Sequence, residues 1–120
     1  AFEFNEADDY PDFIYPVVKA VAEDIARDVD SRGIVIGGSG QGEAIVANKV
    51  KGIRAAVVYD EYSAKMSRGH NDANIISLGT RTLSIGKAKE LVKLWLETPF
   101  SDEERHKRRI EKIKAIENST

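Results

Sequence analysis

The sequence contains no cysteine, and this absence excludes several kinds of chemistry together. Without thiols the chain forms no disulfide, no thiolate metal site and no cysteine nucleophile. Proline and tryptophan are also scarce, with three residues and one residue. No apolar run approaches the roughly 20 residues that a membrane-spanning helix needs, so we expect no membrane partner.

An excess of charge of one sign is lacking as well. The 18 basic and 20 acidic residues leave a net charge of -2 at pH 7, which gives no bulk attraction to nucleic acid. Hydrophobic residues make up 42% of the 120 positions and charged residues 32%, as in ordinary soluble globular proteins. We therefore expect one cytoplasmic domain over residues 1–120, with no nucleic-acid partner.

Short apolar runs rich in β-branched residues alternate with segments of helical periodicity. This order predicts an α/β fold, a Rossmann-like α/β/α sandwich with a mostly parallel sheet whose strand-end loops share one edge. Ser101 and Glu104 are predicted to form a capping box for the last helix. The predicted strands are 34–36, 54–58 and 74–78, and the predicted helices are 14–29, 43–49, 61–69, 84–97 and 101–116, after an acidic loop over 1–13.

Three strands make a thin sheet for this architecture. A sheet of this kind usually has about five strands, so we expect that one β-α-β unit is missing from the front of the fold. A domain without that unit would expose one sheet edge and part of its core.

Four glycines lie within residues 37–42, between the first predicted strand and the next helix. Glycine lets a ligand approach the main chain, and the first N–H groups of a helix lack internal partners, so the loop favours an anion. Ser39 adds a hydroxyl donor, and Glu43 places a carboxylate in the first helical turn beside it. A base next to an oxyanion site indicates proton abstraction.

Other interpretations of these residues stay open. The loop could be a sharp turn without a ligand, and Glu43 could be only an acid favoured by the positive end of a helix. The spacing Gly38-x-Gly40-x-Gly42 departs from a dinucleotide fingerprint, although Asp60 ends the next strand, where an acid that binds ribose would lie.

A second group of candidate residues lies farther along the chain. His70 can shuttle protons near neutral pH and Asn71 can orient a carbonyl or hydroxyl, although a lone histidine is commonly structural. Arg105 and Arg109, at i and i+4 in the basic last helix, present guanidinium groups suited to a phosphate. RNA binding is the rival interpretation of that helix, but interleaved aromatic residues and a net positive charge are missing.

Seven segments then form a recognisable series along residues 9–113. They are Tyr10-Pro11-Asp12, the stretch 33–43, Ala47-Asn48-Lys49, Ser67-Arg68-x-His70-Asn71-x-Ala73, Gly79-x-Arg81, Thr98-Pro99-Phe100 and Arg105-His106-x-Arg108-Arg109-Ile110. In this order they resemble the type B ribose-5-phosphate isomerases, a family that also includes galactose-6-phosphate isomerase subunits.

The resemblance implies a homodimer or dimer of dimers that interconverts an aldose phosphate and a ketose phosphate without metal or cofactor. Active sites would be shared between subunits, with the basic helix 101–117 packed on the partner. Many members carry a cysteine base where this chain has Gly37. A second subgroup uses a glutamate six residues later, and Glu43 occupies that place.

By the same resemblance, Glu43 takes the C2 proton of ribose 5-phosphate and returns it at C1, giving ribulose 5-phosphate through an enediolate. Ser39 and the loop amides hold the enediolate oxygen, and a neighbouring subunit supplies His70 for ring opening. The residues implied to bind substrate are Tyr10, Gly38, Gly40, Gln41, Gly42, Asn71, Arg81, Arg105 and Arg109, of which Asn71 and the three arginines come from the neighbouring subunit.

One departure from the family concerns the front of the chain. Family members begin with a strand ending in an Asp-His pair that contributes to ring opening and phosphate contact, and this sequence contains no such unit. Two alternatives therefore accompany the pentose-phosphate interpretation. One is an isomerase of a 6-phosphate hexose such as galactose 6-phosphate, and the other is a non-catalytic module that binds a sugar phosphate or a nucleotide.

Overall fold

The computed structural model describes residues 7–120 and confirms the predicted α/β fold. A three-stranded parallel sheet in the order β1-β3-β2 lies between two layers of helices. The predicted loop over 1–13 falls partly on residues 1–6, which are outside the described residues. The elements are α1 (Pro11–Ala26), β1 (Gly33–Gly37), α2 (Gln41–Ala47), β2 (Ala55–Val57), α3 (Glu61–Gly69), β3 (Ile75–Gly79), α4 (Ile85–Glu97) and α5 (Glu104–Asn118).

The central strand β3 is buried along its whole length, as its apolar sequence predicts. It pairs with β1 from Gly33 opposite Ile75 to Gly37 opposite Gly79, so the two strands end at the same level. The loops that follow β1 and β3 therefore lie side by side at the carboxyl edge of the sheet.

Each face of the sheet has its own hydrophobic core. On one face, α1 and α2 pack over a cluster of buried residues, namely Val18, Val21, Val35, Ala47, Ile53 and Ile75. On the other, α3 and α4 pack over Val58, Ala64, Ile76, Leu78, Leu91 and Trp95. Helix α4 contributes one apolar stripe to this second core, in which Leu91 and Trp95 are both fully buried.

Two helices begin earlier than the sequence predicted. Helix α1 starts at Pro11 rather than at residue 14, because a proline at the first helical position needs no hydrogen bond from its nitrogen. Because the helix starts at Pro11, Pro16 lies inside it, whereas a start at residue 14 would place Pro16 in the first turn. Helix α2 covers 41–47 rather than 43–49, and Gly40 precedes it in the left-handed conformation.

Helix α5 begins later than predicted, and the expected capping box is wrong. Asp102 adopts a positive φ of 58°, which turns the chain before the helix and makes Glu103 the N-cap. The Ser101 hydroxyl instead accepts the Glu103 amide and bonds the imidazole of His106. Ile110, Ile113 and Ile116 recur at helical spacing along α5, but only Ile110 of the three is buried, whereas Ile113 and Ile116 are exposed.

The expected exposed sheet edge is present at β1. Ile34 is 39% exposed and Ile36 57% exposed, and both line an apolar groove against the α4 residues Ala88, Val92 and Leu96. Within residues 7–120, no helix combines the length and the apolar character that crossing a membrane requires.

Candidate active site

The glycine loop after β1 is fixed from the neighbouring strand. Ser77 is fully buried in β3, and its hydroxyl donates a hydrogen bond of 2.6 Å to the Gly40 carbonyl. Beyond β3, the Thr80 amide donates to the Gly37 carbonyl at 2.8 Å and the Arg81 amide to the Gly38 carbonyl at 3.0 Å. The loop is thus held on both sides, which gives it one defined shape before any ligand binds.

Glu43 lies in the first turn of α2 and is only 7% exposed. Its carboxyl group occupies the space above the Gly37 Cα, where the Cβ of any larger residue would overlap it. The absence of a side chain at position 37 therefore allows the carboxylate to lie at the carboxyl end of β1. A buried carboxylate at a strand end is well placed to act as a base on a bound molecule.

Two further side chains from the predicted site cover the same loop. The Tyr10 hydroxyl lies against Gly42, where a Cβ would overlap it. The Arg81 guanidinium lies over Gly38, with its Nε 3.2 Å from the position that a Cβ there would take. Arg81 thus lies over the loop of its own chain, and its expected contribution from a neighbouring subunit stays a prediction.

Ser39 and Gln41 interact with each other at the tip of the loop. The Ser39 Oγ accepts the Gln41 amide at 3.2 Å, which engages one of the amides expected to face the substrate. The hydroxyl proton of Ser39 is not used in this bond, so Ser39 keeps its ability to donate.

The remaining predicted residues lie in a second group around His70, which ends α3. The His70 ring stacks on His106 of α5, with ring centroids 4.1 Å apart and an angle of 28° between the planes. Arg105 is the neighbour of His106 in sequence, and Arg109 lies one helical turn on. Asn71 follows His70 directly. These residues therefore form a cationic group that the protein builds from α3 and α5.

The two groups lie at opposite edges of the sheet. The glycine loop follows the carboxyl end of β1, whereas His70 and Asn71 precede the amino end of β3. Since β1 and β3 are parallel and in register over five residues, about 13 Å of strand separates the two edges. The structure does not bring the two groups together within one chain.

Burial and neighbouring charges act on His106. The ring is 1% exposed, and desolvation lowers the pKa of His106 below its ordinary value of 6.5, with His70 and Arg105 lowering it further and Glu103 opposing them. The Ser101 hydroxyl lies 2.6 Å from Nδ1, and a Glu103 carboxylate oxygen lies 3.4 Å from the same atom. The ring is therefore held neutral near physiological pH.

Two arginines hold the segment that follows His70, at Asn71 and Asp72. Arg54 donates from Nε to the Asn71 carbonyl at 2.9 Å and from a terminal nitrogen to the Asp72 carbonyl at 2.9 Å. Arg68 is buried and donates to the Asp72 carboxylate at 2.7 Å. Asp72 itself has a positive φ of 46°. This arrangement fixes the segment that follows the candidate histidine.

Sequence reasoning missed the supporting residues Ser77, His106, Arg54 and Asp72. One signal was visible for Ser77, which is a lone hydroxyl in the apolar strand 75–79. His106 lies in the last of the seven segments that carry the family resemblance, but nothing in its spacing indicated that it is buried or that it contacts His70. The dinucleotide interpretation loses support at Asp60, whose carboxylate accepts the Ser63 amide at 2.7 Å as the N-cap of α3.

Among residues 7–120, no group of three or more histidine, aspartate or glutamate side chains is positioned to hold a metal ion.

Comparisons with known proteins identify the family of the chain. The sequence matches the ribose/galactose isomerase family over residues 1–113. It is 49% identical over 109 residues to a putative sugar phosphate isomerase of Bacillus subtilis, which covers 91% of this chain and 70% of that protein. It is 43% identical over 113 residues to ribose-5-phosphate isomerase B of Escherichia coli, covering 94% of this chain and 72% of the relative.

Solved structures give the same result. The type B ribose 5-phosphate isomerase of Trypanosoma cruzi superposes with a TM-score of 0.88 at 50% identity, covering 98% of this chain and 74% of that one. Ribose-5-phosphate isomerase B of Mycoplasma genitalium, solved with bound ribulose-5-phosphate, gives a TM-score of 0.90 at 38% identity and covers 100% and 76%. The chain therefore belongs to the ribose/galactose isomerase family, among the type B ribose-5-phosphate isomerases, and is an isomerase.

Proposed function

We propose that the protein interconverts ribose 5-phosphate and ribulose 5-phosphate through an enediolate, with Glu43 as the general base. The observation that carries the proposal is the buried Glu43 carboxylate above Gly37, beside a loop whose shape is fixed by Ser77. Relatives named ribose-5-phosphate isomerase and the relative with bound ribulose-5-phosphate support the choice of a phosphorylated pentose.

The chemistry follows from the position of the carboxylate. Glu43 removes the proton from C2 of the open-chain aldose, and the electrons of the C–H bond form a C1–C2 double bond while negative charge develops on O1. The Ser39 hydroxyl and the amides of Gly40 and Gly42 stabilise that oxygen in a site whose donors need no rearrangement. A proton then passes from O2 to O1, and return of the proton from the Glu43 carboxyl to C1 gives the ketose with its carbonyl at C2.

The phosphate end of the substrate requires cationic side chains at a distance from the base. Arg81 lies over the loop of the same chain and can hold the substrate near Glu43, while Tyr10 packs beside it. Arg105 and Arg109 present two guanidinium groups suited to bidentate binding of a phosphate. Binding of the unreactive phosphate positions the reacting carbon, and this raises the rate by orientation.

A second copy of the chain completes the site in this proposal. His70, Asn71, Arg105 and Arg109 lie at the opposite sheet edge from the glycine loop of their own chain. In a homodimer or a dimer of dimers, each glycine loop faces α3 and α5 of the partner. Each pair of subunits then contains two complete sites. His70 then assists opening of the sugar ring, and Asn71 binds substrate hydroxyls.

The Glu43→Gln variant tests the base. The amide has the same shape but cannot accept a proton, so we expect kcat to fall at least about 100-fold with substrate binding retained. Exchange of the C1 hydrogen of ribulose 5-phosphate in D2O, followed by NMR, measures proton abstraction directly and should stop as well. Glu61→Gln on the exposed start of α3 is the matched control and should leave both rates unchanged. A Glu43→Gln protein with normal turnover would reject the assignment.

Mixing two inactive variants tests the shared site. In a mixed dimer of Glu43→Gln and His70→Ala chains, one site carries both substitutions and the other carries neither. If half of the dimers are mixed and each has one intact site, about one quarter of wild-type activity returns. No recovery after mixing and subunit exchange would show that both residues act from the same chain.

Assays with different sugar phosphates distinguish the two alternative functions. An isomerase of a 6-phosphate hexose would prefer the longer sugar in kcat/KM, because one additional carbon lies between the base and the phosphate. A non-catalytic module would bind sugar phosphates with no C1 hydrogen exchange at all.

A further inference from the structure

The strongest feature outside the proposed catalytic set is the buried imidazole of His106 beneath His70. The His106 side chain is 2% exposed, and its ring lies against His70 at a centroid distance of 4.1 Å. His70 is partly exposed and stands at the end of α3, and His106 supports one face of its ring.

Hydrogen bonds that run through Ser101 hold His106 in place. The Ser101 Oγ lies 2.6 Å from Nδ1 and accepts the Glu103 amide at 3.2 Å. The Ser101 amide donates to the Gly69 carbonyl at 3.0 Å, and Gly69 immediately precedes His70. Ser101 therefore links the His106 ring to the backbone of Gly69, the residue that precedes His70.

The two ring nitrogens of His106 have different surroundings. Nδ1 shares a hydrogen bond of 2.6 Å with the Ser101 hydroxyl, whose oxygen also accepts the Glu103 amide and has a second lone pair. Nε2 is buried and has no hydrogen-bond partner among residues 7–120. Burial and the nearby His70, Arg105 and Arg109 lower the pKa of His106, while Glu103 raises it, so the supporting ring stays neutral.

We propose that His106 is a positioning residue, whose stacked ring fixes the plane of His70 and so directs the His70 nitrogens towards the sugar ring oxygen. The proposal rests on the proposed function, in which His70 assists ring opening. A neutral stacked ring can do this without competing for the proton that His70 transfers. A second positive charge at 4.1 Å would be repelled.

Ring opening can be measured separately from proton abstraction. Ribose 5-phosphate closes into a five-membered ring, whereas ribulose 5-phosphate has its C5 oxygen phosphorylated and stays open. Exchange of the C1 hydrogen of ribulose 5-phosphate in D2O therefore requires the base but no ring opening. Conversion of ribose 5-phosphate requires both steps.

The test uses three variants. His106→Leu removes the flat ring, His106→Phe keeps it, and Ile110→Val is a control at another buried position of α5. We expect His106→Leu to lower kcat for ribose 5-phosphate about tenfold, with C1 exchange within about twofold of the wild type. His106→Phe should recover much of the loss, and Ile110→Val should change neither rate. Parallel loss of both rates, or loss of neither in His106→Leu, would overturn the proposal.

A spectroscopic measurement keeps the positioning role separate from the proposed function. The nitrogen-15 chemical shifts of His70 report its tautomer in the intact protein without substrate. We expect His106→Leu to shift them towards those of a free imidazole, and Ile110→Val to leave them unchanged. If the wild type neither isomerises nor exchanges, the proposed function fails, while unchanged His70 shifts in His106→Leu would refute the positioning role alone.

Discussion

Substituting Gly37 with alanine tests the relation between this glycine and Glu43. The added Cβ would overlap the Glu43 carboxyl, and no other group comes as close. The carboxyl group must retreat by about 1 Å or more to reach an ordinary contact distance. Gly37 lies in β1 with φ outside the left-handed region, so the alanine backbone itself is not strained.

The expected result separates stability from activity. The displaced group is the end of a flexible side chain, so we expect the free energy of unfolding to fall by only about 1 kcal/mol, at the low end of the range for an added methyl group. A catalytic group misplaced by about 1 Å loses about 100-fold in rate. We therefore expect kcat for ribose 5-phosphate to fall about 100-fold while the protein remains folded.

The assay is steady-state isomerisation together with urea unfolding of the same preparation. Gly86→Ala is the matched control, because a Cβ on Gly86 meets nothing within 4 Å and its φ is not positive. It should keep wild-type kcat and gain up to about 1 kcal/mol in helix α4. A Gly37→Ala enzyme with kcat within twofold of the wild type would refute the assignment of the carboxylate position.

Three further outcomes are expected. Ser77→Ala removes the 2.6 Å bond to the Gly40 carbonyl, so urea unfolding should show a loss of about 1 kcal/mol and kinetics a lower kcat; unchanged kcat would mean that the loop needs no support from β3. Arg105→Ala should raise KM for the phosphorylated sugar about tenfold or more with a smaller change in kcat, and an unaltered KM would argue against phosphate binding there. The Ser63 amide lowers the pKa of Asp60 below 3.8, so its carboxylate stabilises the fold above that pH and loses this contribution as pH falls through the folded pKa. Compared with Asp60→Asn, which keeps a cap but cannot titrate, the wild type should therefore lose stability below about pH 4; equal pH profiles would contradict this.

The sequence allowed prediction of the fold because each element carries its own periodicity. The strand 75–79 is a continuous apolar run, and α4 has apolar residues on one stripe, so both were predicted within one or two residues. The errors lie at helix ends, where a single backbone angle decides the boundary. The positive φ of Asp102 delays α5 by three residues relative to the prediction, and no local pattern announces it.

Prediction of the site was partial for a related reason. The glycine loop and Glu43 are adjacent in sequence, so their chemistry could be inferred from local order. The support of the site comes from distant residues, since Ser77 bonds a residue 37 positions away and Arg54 one 17 positions away. Only the packing of β3 against the loop, and of α3 against the turn before β3, creates those contacts.

The glycines of the loop also make room for side chains, which the sequence did not indicate. Glycine was expected there to let a ligand approach the main chain. In the structure, three of the glycines each lie beneath a functional side chain, with Glu43 over Gly37, Arg81 over Gly38 and Tyr10 over Gly42.

A side chain at any of these positions would displace a different group. The absence of a Cβ at these glycines thus leaves the space that the Glu43 carboxyl, the Arg81 guanidinium and the Tyr10 ring occupy. In the proposed mechanism the base over Gly37 governs proton transfer, whereas the cation over Gly38 governs binding, so we expect the two glycines to control kcat and KM separately. A loop that served only to expose its amides would show no such division.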